Sequence, residues 1–241
     1  MWPGPSSLTQ RVARFLLGQR CQVCGQGLGP DADIPLCLAC FKLLPLRQGG
    51  YCPCCGQFYT DASVRPYACL SCRTNPPPWT RLVFYGAYAG MLQELVHRHK
   101  FGRDLGLESL LRFLLIRAWE EHGLQRPDLL VPVPMRPRPV LRRGFNQSVE
   151  LARILSQEIQ VPLGRQVLIK NRDTQAQSTL GKKARLSNVR GAFAAHAAVR
   201  GQRVLLVDDV ITTGATLRAC AKACLQAGAR EVEVLVLARA L

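Results

Sequence analysis

The chain has 241 residues, 32 of them Lys or Arg against 16 Asp or Glu, so its formal net charge is +16, and 48% of its residues are hydrophobic. This composition excludes a disordered polyelectrolyte, and the charge asks for anionic partners, whether phosphorylated small molecules or nucleic acid. No apolar run approaches the roughly 20 residues of a membrane span, and the stretch 12–18, interrupted by Arg14, is too short for a secretory signal; the expectation is a cytoplasmic protein without membrane insertion.

The opening segment from Ser6 to Gly18 places Leu8, Val12, Phe15 and Leu16 on one face of a short amphipathic helix. Nine of the eleven cysteines then fall between Cys21 and Cys72. Cys21-x-x-Cys24 and Cys37-x-x-Cys40 are separated by twelve residues, and Cys52-x-x-Cys55 and Cys69-x-x-Cys72 by thirteen, so the region reads as a doubled unit. Each C-x-x-C turn presents two thiolates to one ion, and two turns complete a closed tetrahedral zinc site of the structural kind. The alternatives are a redox dithiol or simply buried thiols, and four such turns in one short region favour metal. About two zinc ions follow from Cys21, Cys24, Cys37, Cys40, Cys52, Cys55, Cys69 and Cys72, at four thiolates per ion. Cys54 is supernumerary, because Gly56 after Cys55 matches Gly25 after Cys24. Spacing alone leaves open whether the turns pair sequentially or interleave. The tract Asn75-Pro76-Pro77-Pro78 cannot continue regular structure and reads as a linker, dividing a metal-binding unit over 1–76 from a larger domain over 77–241.

Beyond the linker the pattern changes. Apolar runs at Leu82–Tyr85, Leu129–Val133, Val204–Val207 and Val232–Leu237 predict strands, and Met91–His99, Leu105–Glu121, Gln147–Glu158 and Thr216–Ala227 predict helices. Such alternation implies an α/β fold with a mostly parallel sheet flanked by helices. His97 and His99 point to different faces of their helix with no cysteine pattern to recruit them, and both are expected at the surface. Cys220 and Cys224, one turn apart, are expected in the core.

The most informative stretch is Val204-Leu205-Leu206-Val207-Asp208-Asp209-Val210-Ile211-Thr212-Thr213-Gly214-Ala215-Thr216. A buried strand leads into two carboxylates and a Thr/Gly-rich loop that opens a helix, at the end of the sheet where α/β folds bind ligands. The loop 212–216, with Thr212, Thr213 and Thr216 as hydroxyl donors and Gly214 and Ala215 between them, suits a 5′-phosphate. Asp208 and Asp209 are placed to accept from vicinal ribose hydroxyls, directly or through Mg²⁺. The stretch resembles the motif of type I phosphoribosyltransferases that binds 5-phosphoribosyl pyrophosphate (PRPP).

A second cluster, Leu130-Val131-Pro132-Val133-Pro134 followed by Arg136, Arg138, Arg142, Arg143, Gly144, Phe145, Asn146 and Gln147, puts a basic loop between a strand and a helix. With Arg172-Asp173-Thr174-Gln175-Ala176-Gln177, Leu180, Arg185, Asn188 and Phe193, it resembles the ComF/GntX family of competence-associated, phosphoribosyltransferase-like proteins, and the cysteine-rich unit, as a double zinc ribbon, fits the same family. The resemblance implies that Pro134, Arg136, Arg142, Arg143 and Gly144 bind pyrophosphate. It also implies that Arg172, Gln177 and Arg185 belong to a flexible loop closing over PRPP, although Gly181 and Ala184 depart from the family pattern. Asp208, Asp209 and Arg143 form the candidate catalytic set.

Three functions are compatible with these residues. The first is a transferase displacing pyrophosphate from C1′ of PRPP, with Mg²⁺ and an acceptor the sequence does not name. A second is a catalytically inactive phosphoribosyl fold that binds single-stranded DNA through Arg136, Arg138, Arg142 and Arg143 in natural transformation. The third is a PRPP-sensing regulator, against which stands the lack of a helix-turn-helix signature. Oligomeric state is not encoded in anything legible here.

Overall fold

A computed structural model of the chain describes residues 19–29, 32, 34–101, 105–135, 145–171 and 191–241. The predicted helix over 6–18 lies outside the described residues. Four strands, β1 (Arg81–Ala87), β2 (Leu129–Pro132), β5 (Arg203–Ile211) and β6 (Glu231–Arg239), form a parallel sheet in the order β1-β6-β5-β2. Between β2 and β5 in sequence, β3 (Leu168–Lys170) and β4 (Phe193–Ala195) make a small antiparallel pair that the sequence pattern did not announce.

Strand side chains alternate between faces, and the alternation divides the core in two. Val83, Tyr85, Leu130, Leu205, Val207, Leu235 and Leu237 pack on one side with α4 (Glu108–Glu121) and α5 (Gln147–Ile159). Leu82, Phe84, Val131, Val204, Leu206, Val234 and Val236 pack on the other with α6 (Ala215–Gln226), where Cys220 and Cys224 are fully buried as expected. Because β5 and β6 are covered on both faces, they read as continuous apolar runs rather than alternating ones.

The cysteine-rich unit is part of these walls. Cys21, Leu36, Cys40 and Leu44 belong to the first core, and Tyr51 and Trp79 to the second. The two halves of the unit share one backbone design. In the first, the amide of Cys21 donates to the Gln26 carbonyl at 2.8 Å and that of Gly25 to the Cys21 carbonyl at 2.8 Å; in the second, Cys52 donates to Gln57 and Gly56 to Cys52, again at 2.8 Å. Each half continues into a short helix, α1 (Leu38–Lys42) or α2 (Leu70–Thr74). Gly56 has φ +73°, and a Cβ there would lie 2.9 Å from Arg239 Cδ, so only glycine fits the second turn.

Specific polar contacts fasten the unit to the sheet domain. No side chain of α4 caps its own N-terminus; instead Gln22, inside the first cysteine turn, accepts from the Leu110 amide at 3.1 Å and donates to Ser109 Oγ at 2.6 Å. Arg117 of α4 lies 5.1 Å from the ring of Phe41 in α1. The Tyr85 hydroxyl donates to the Leu44 carbonyl at 2.6 Å, and the Leu82 amide to Pro53 at 3.2 Å. The proline tract is irregular as predicted, yet Pro77 is buried and Trp79, immediately after it, donates from Nε1 to the Cys54 carbonyl at 2.7 Å.

One expectation is corrected. On α3 (Gly90–Phe101) His97 is exposed, but His99 is only 4% exposed and packs edge-on against the ring of Phe145 at 5.4 Å. The helical period explains it: Leu92, Leu95 and Val96 define the buried stripe, and position 99 continues it.

At the other end of α4, Arg81 donates to the His122 carbonyl at 2.6 Å and the Gly123 carbonyl at 2.9 Å, supplying positive charge at a helix C-terminus. The His122 ring meets the Tyr51 hydroxyl at 3.1 Å through Nδ1 while Nε2 is buried with no hydrogen-bond partner among the described residues. Burial and the nearby Arg81 push its pKa below the ordinary 6.5. The unfolded chain therefore binds this proton more readily than the folded one, and stability is lost as pH falls below about 6.5 toward the lower folded-state pKa. Urea midpoints measured across that range are expected to decline toward acid, and less steeply in His122→Gln; parallel curves would refute the assignment. Gln22→Ala should lower the unfolding free energy by about 1 kcal/mol, the usual worth of a helix cap, without changing the urea m-value.

Candidate functional site

The carboxylates sit at the C-terminal end of β5. Pairing with β6 extends that strand four residues past its apolar run, so Asp208 and Asp209 are held by the ladder itself, with Asp208 opposite Val236 and Val210 opposite Ala238. After Ile211 the chain bends at Thr212 and Thr213 and reaches Gly214, the residue before α6, in the left-handed region at φ +72°. A Cβ there would meet Ile211 Cδ1 at an ordinary contact distance of 3.4 Å, so it is the backbone conformation that asks for glycine. Thr213 Oγ1 accepts from the Ala215 amide at 3.4 Å, and Thr216 lies in the first turn of α6.

Two side chains from other elements reach the acidic pair, and a third fixes the connection beside it. Ser148, buried in the first turn of α5, donates its hydroxyl to Asp208 Oδ1 at 2.7 Å. Lys100, near the end of α3, places Nζ 2.7 Å from Asp209 Oδ2. Asn146 caps α5, its side chain accepting from the Ser148 amide at 3.1 Å and donating to the Val133 carbonyl at 3.2 Å, which closes the β2–α5 connection onto the strand end. Asp208 Oδ1 also accepts from the Asp209 amide at 2.9 Å, and Asp209 Oδ1 from the Val210 amide at 2.7 Å.

Burial and the adjacent Asp209 carboxylate push Asp208 up to about 7, against the pull of the Ser148 hydroxyl, the Asp209 amide and the Lys100 ammonium. Among the described residues Lys100 is the one cation paired with the two carboxylates, and Asp208 holds its proton to a higher pH than a free carboxyl. The carboxylate oxygens are hard donors of the kind Mg²⁺ takes, so the donor set fits a divalent ion or ribose hydroxyls. Tyr88, Lys100, Asp208, Val210, Thr212 and Thr216 are among the residues lining a cleft of about 370 Å³ over this strand end.

The structure brings Asp208, Thr212, Gly214, Ala215 and Thr216 to this cleft, leaves Asp209 and Thr213 outside its lining with Asp209 paired to Lys100, and places Pro134 half-buried just beyond β2. Arg136, Arg138, Arg142, Arg143, Gly144, Arg172, Gln177 and Arg185 lie outside the described residues. Sequence reasoning missed Lys100 and Ser148 as site residues. Lys100 ends an amphipathic helix distant in sequence from the motif, and Ser148 reads as an ordinary first-turn serine.

The cysteine sulfurs form two groups, Cys21, Cys24, Cys37 and Cys40, and Cys52, Cys55, Cys69 and Cys72, each with all sulfurs within 4.8 Å of one another. Pairing is therefore sequential, and Cys54 stands outside both groups. The Cys24–Cys37 and Cys55–Cys69 sulfur separations are 3.7 and 3.9 Å. A tetrahedral ion with Zn–S bonds of about 2.3 Å requires about 3.8 Å, so both groups fit zinc. Burial opposes ionisation at Cys21 and Cys52, but backbone amides outweigh it and hold them at about 6 and about 7, whereas burial and the neighbouring thiols push Cys40 and Cys72 upward. Four adjacent thiols cannot all ionise without a cation, and a divalent ion resolves that conflict.

The phosphoribosyl transferase domain model matches residues 139–241. DNA utilization protein YhgH of Escherichia coli K12 is 36% identical over 221 residues, which cover 86% of this chain and 97% of that protein. Competence protein F of Haemophilus influenzae is 31% identical over 221 residues, covering 85% of this chain and 96% of that one. Among solved structures, a glutamine PRPP amidotransferase from B. subtilis superposes with a TM-score of 0.40 at 22% identity, over 58% of this chain and 30% of that one.

Protein purified without chelator is expected to carry about two zinc ions per chain. Cys37→Ser and Cys69→Ser should each remove about one, by elemental analysis; zinc-free wild-type protein would refute the assignment of both groups.

Proposed function

The chain belongs to the ComF family of competence-associated proteins, and from that membership we propose that it binds PRPP with Mg²⁺ at the β5 strand end, in the cytoplasm, in the service of DNA uptake or utilisation. The observation that carries the reading is the acidic pair Asp208–Asp209 set at the mouth of a Thr/Gly loop that opens a helix. In this reading the loop 212–216 takes the 5′-phosphate through its amides and hydroxyls, and the acidic pair takes the vicinal ribose hydroxyls. Ser148 holds the Asp208 carboxylate in place through its hydroxyl, and Lys100 does the same for Asp209.

Mg²⁺, when bound, would be held by Asp208 and by the ligand's own oxygens, and would neutralise charge on departing pyrophosphate. Transfer from C1′ needs no protein nucleophile; the chain's contribution is orientation and exclusion of competing water. The arginines of the basic loop, Arg136, Arg142 and Arg143, would face the pyrophosphate, with Arg172 and Arg185 closing over it. Whether turnover follows binding is decided by measuring pyrophosphate release alongside binding in one titration.

Asp208→Asn combined with Asp209→Asn removes charged acceptors worth about 1.5–3 kcal/mol each, so PRPP affinity in the presence of Mg²⁺ should fall at least about tenfold by calorimetry. Melting midpoint and zinc content, measured on the same preparation, establish that the fold is intact. Unchanged PRPP affinity in that folded variant would remove the assignment.

A further inference from the structure

The Thr212–Gly214 loop is the common wall of two clefts. One is the ribose cleft over Asp208; the other, about 760 Å³, is lined by the loop, the second cysteine group, and three cationic side chains, Arg218 and Lys222 of α6 and Arg239 of β6. Nothing so far assigns this second cleft a ligand. We propose that it binds the phosphodiester backbone of a single-stranded nucleic acid, with Arg218 and Lys222 as its phosphate contacts.

No aspartate or glutamate lines this cleft, and none of the three cations has an acidic ion-pair partner among the described residues. A zinc ion held by four thiolates would carry two net negative charges on one wall, of which Arg239 offsets one. Arg239 donates from Nε to the Cys55 carbonyl at 3.0 Å and is half-buried against that wall. Arg218 and Lys222 are left facing the opening.

Arg218 is also positioned in advance. Its guanidinium lies 5.5 Å from the ring of Trp79, and Trp79 is pinned by its bond to the Cys54 carbonyl. Lys222, exposed, follows four residues later on the same helix face, about 6 Å along the axis, the order of separation of successive phosphates in an extended strand. Gln57, Ser71 and Asn75 add uncharged hydrogen-bonding groups to the lining. The cleft has about twice the volume of the ribose cleft, more than a lone phosphate needs. The identity of the anion rests on the DNA-related role proposed above; the cleft and its charge stand without it.

The test uses full-length, zinc-loaded protein and a short fluorescent oligothymidylate read by anisotropy. Lys222→Glu, at an exposed position, should weaken binding about tenfold at low salt, and Lys222→Ala should flatten the plot of log affinity against log salt by roughly 0.7, the release from one single-strand phosphate. Arg218→Ala with Lys222→Ala should flatten it by about 1.4. PRPP binding with Mg²⁺ in Lys222→Glu should match wild type, because Lys222 does not line the ribose cleft. Conversely, the Asp208→Asn, Asp209→Asn variant should keep its oligothymidylate affinity whether or not PRPP binds the wild-type protein. Unaltered oligothymidylate affinity and salt slope in the Lys222 variants would overturn the proposal, as would loss of strand binding in the carboxylate variant, which would place the strand in the ribose cleft.

Discussion

Everything in this protein hangs on a parallel sheet whose two central strands are apolar on both faces. Such strands cannot face water on either side, so each face must be roofed over its full extent. Helices α4 and α5 cover one face and α6 covers much of the other, but near β1 the covering is done by residues of the cysteine-rich unit, Leu36, Leu44 and Tyr51 among them. Folding of the cysteine-rich unit and burial of the sheet are thereby one problem. The first cysteine turn supplies Gln22 to begin α4, and Arg81 of β1 supplies the charge that ends it.

The same constraint creates the reactive end of the sheet. A strand buried on both faces can present polar side chains only where the cover stops, and on β5 that point is Asp208 and Asp209. Leaving the acidic pair there is costly, as the elevated Asp208 pKa records, and Ser148 and Lys100 offset part of the cost. A ligand bringing hydroxyl donors or a divalent ion would offset the rest.

Much of this was legible in the residues alone. The four main strands follow from apolar runs, the loop 212–216 from its Thr/Gly composition after a buried strand, and the two metal groups from C-x-x-C spacing. Whether the turns paired sequentially was not legible, because spacing constrains each turn but not which turns meet. Lys100 and Ser148 were hidden for a related reason: each joins Asp209 or Asp208 across a long sequence separation, and such contacts have no local signature. β3 and β4 are too short for a period to declare itself. His99 is different, since the stripe Leu92, Leu95, Val96 pointed to its burial and the polarity of histidine obscured it. Similarly, the proline tract was read as a loose connection because composition cannot show that Trp79 reaches back to Cys54.

The order β1-β6-β5-β2 also bears on how the chain is made. β1 has one neighbour in the sheet, β6, and most of the described sequence separates them. On the ribosome, β1 emerges early with its Leu82, Val83, Phe84 and Tyr85 side chains and must wait for its hydrogen-bonding partner. The first neighbouring residues available, already synthesised when β1 emerges, are those of the cysteine-rich unit, through the Pro53 carbonyl, Tyr51 and Phe58. The second cysteine turn would then act as a built-in chaperone for the nascent chain, the first cover over an unpaired apolar strand that α3, α4 and finally β6 complete.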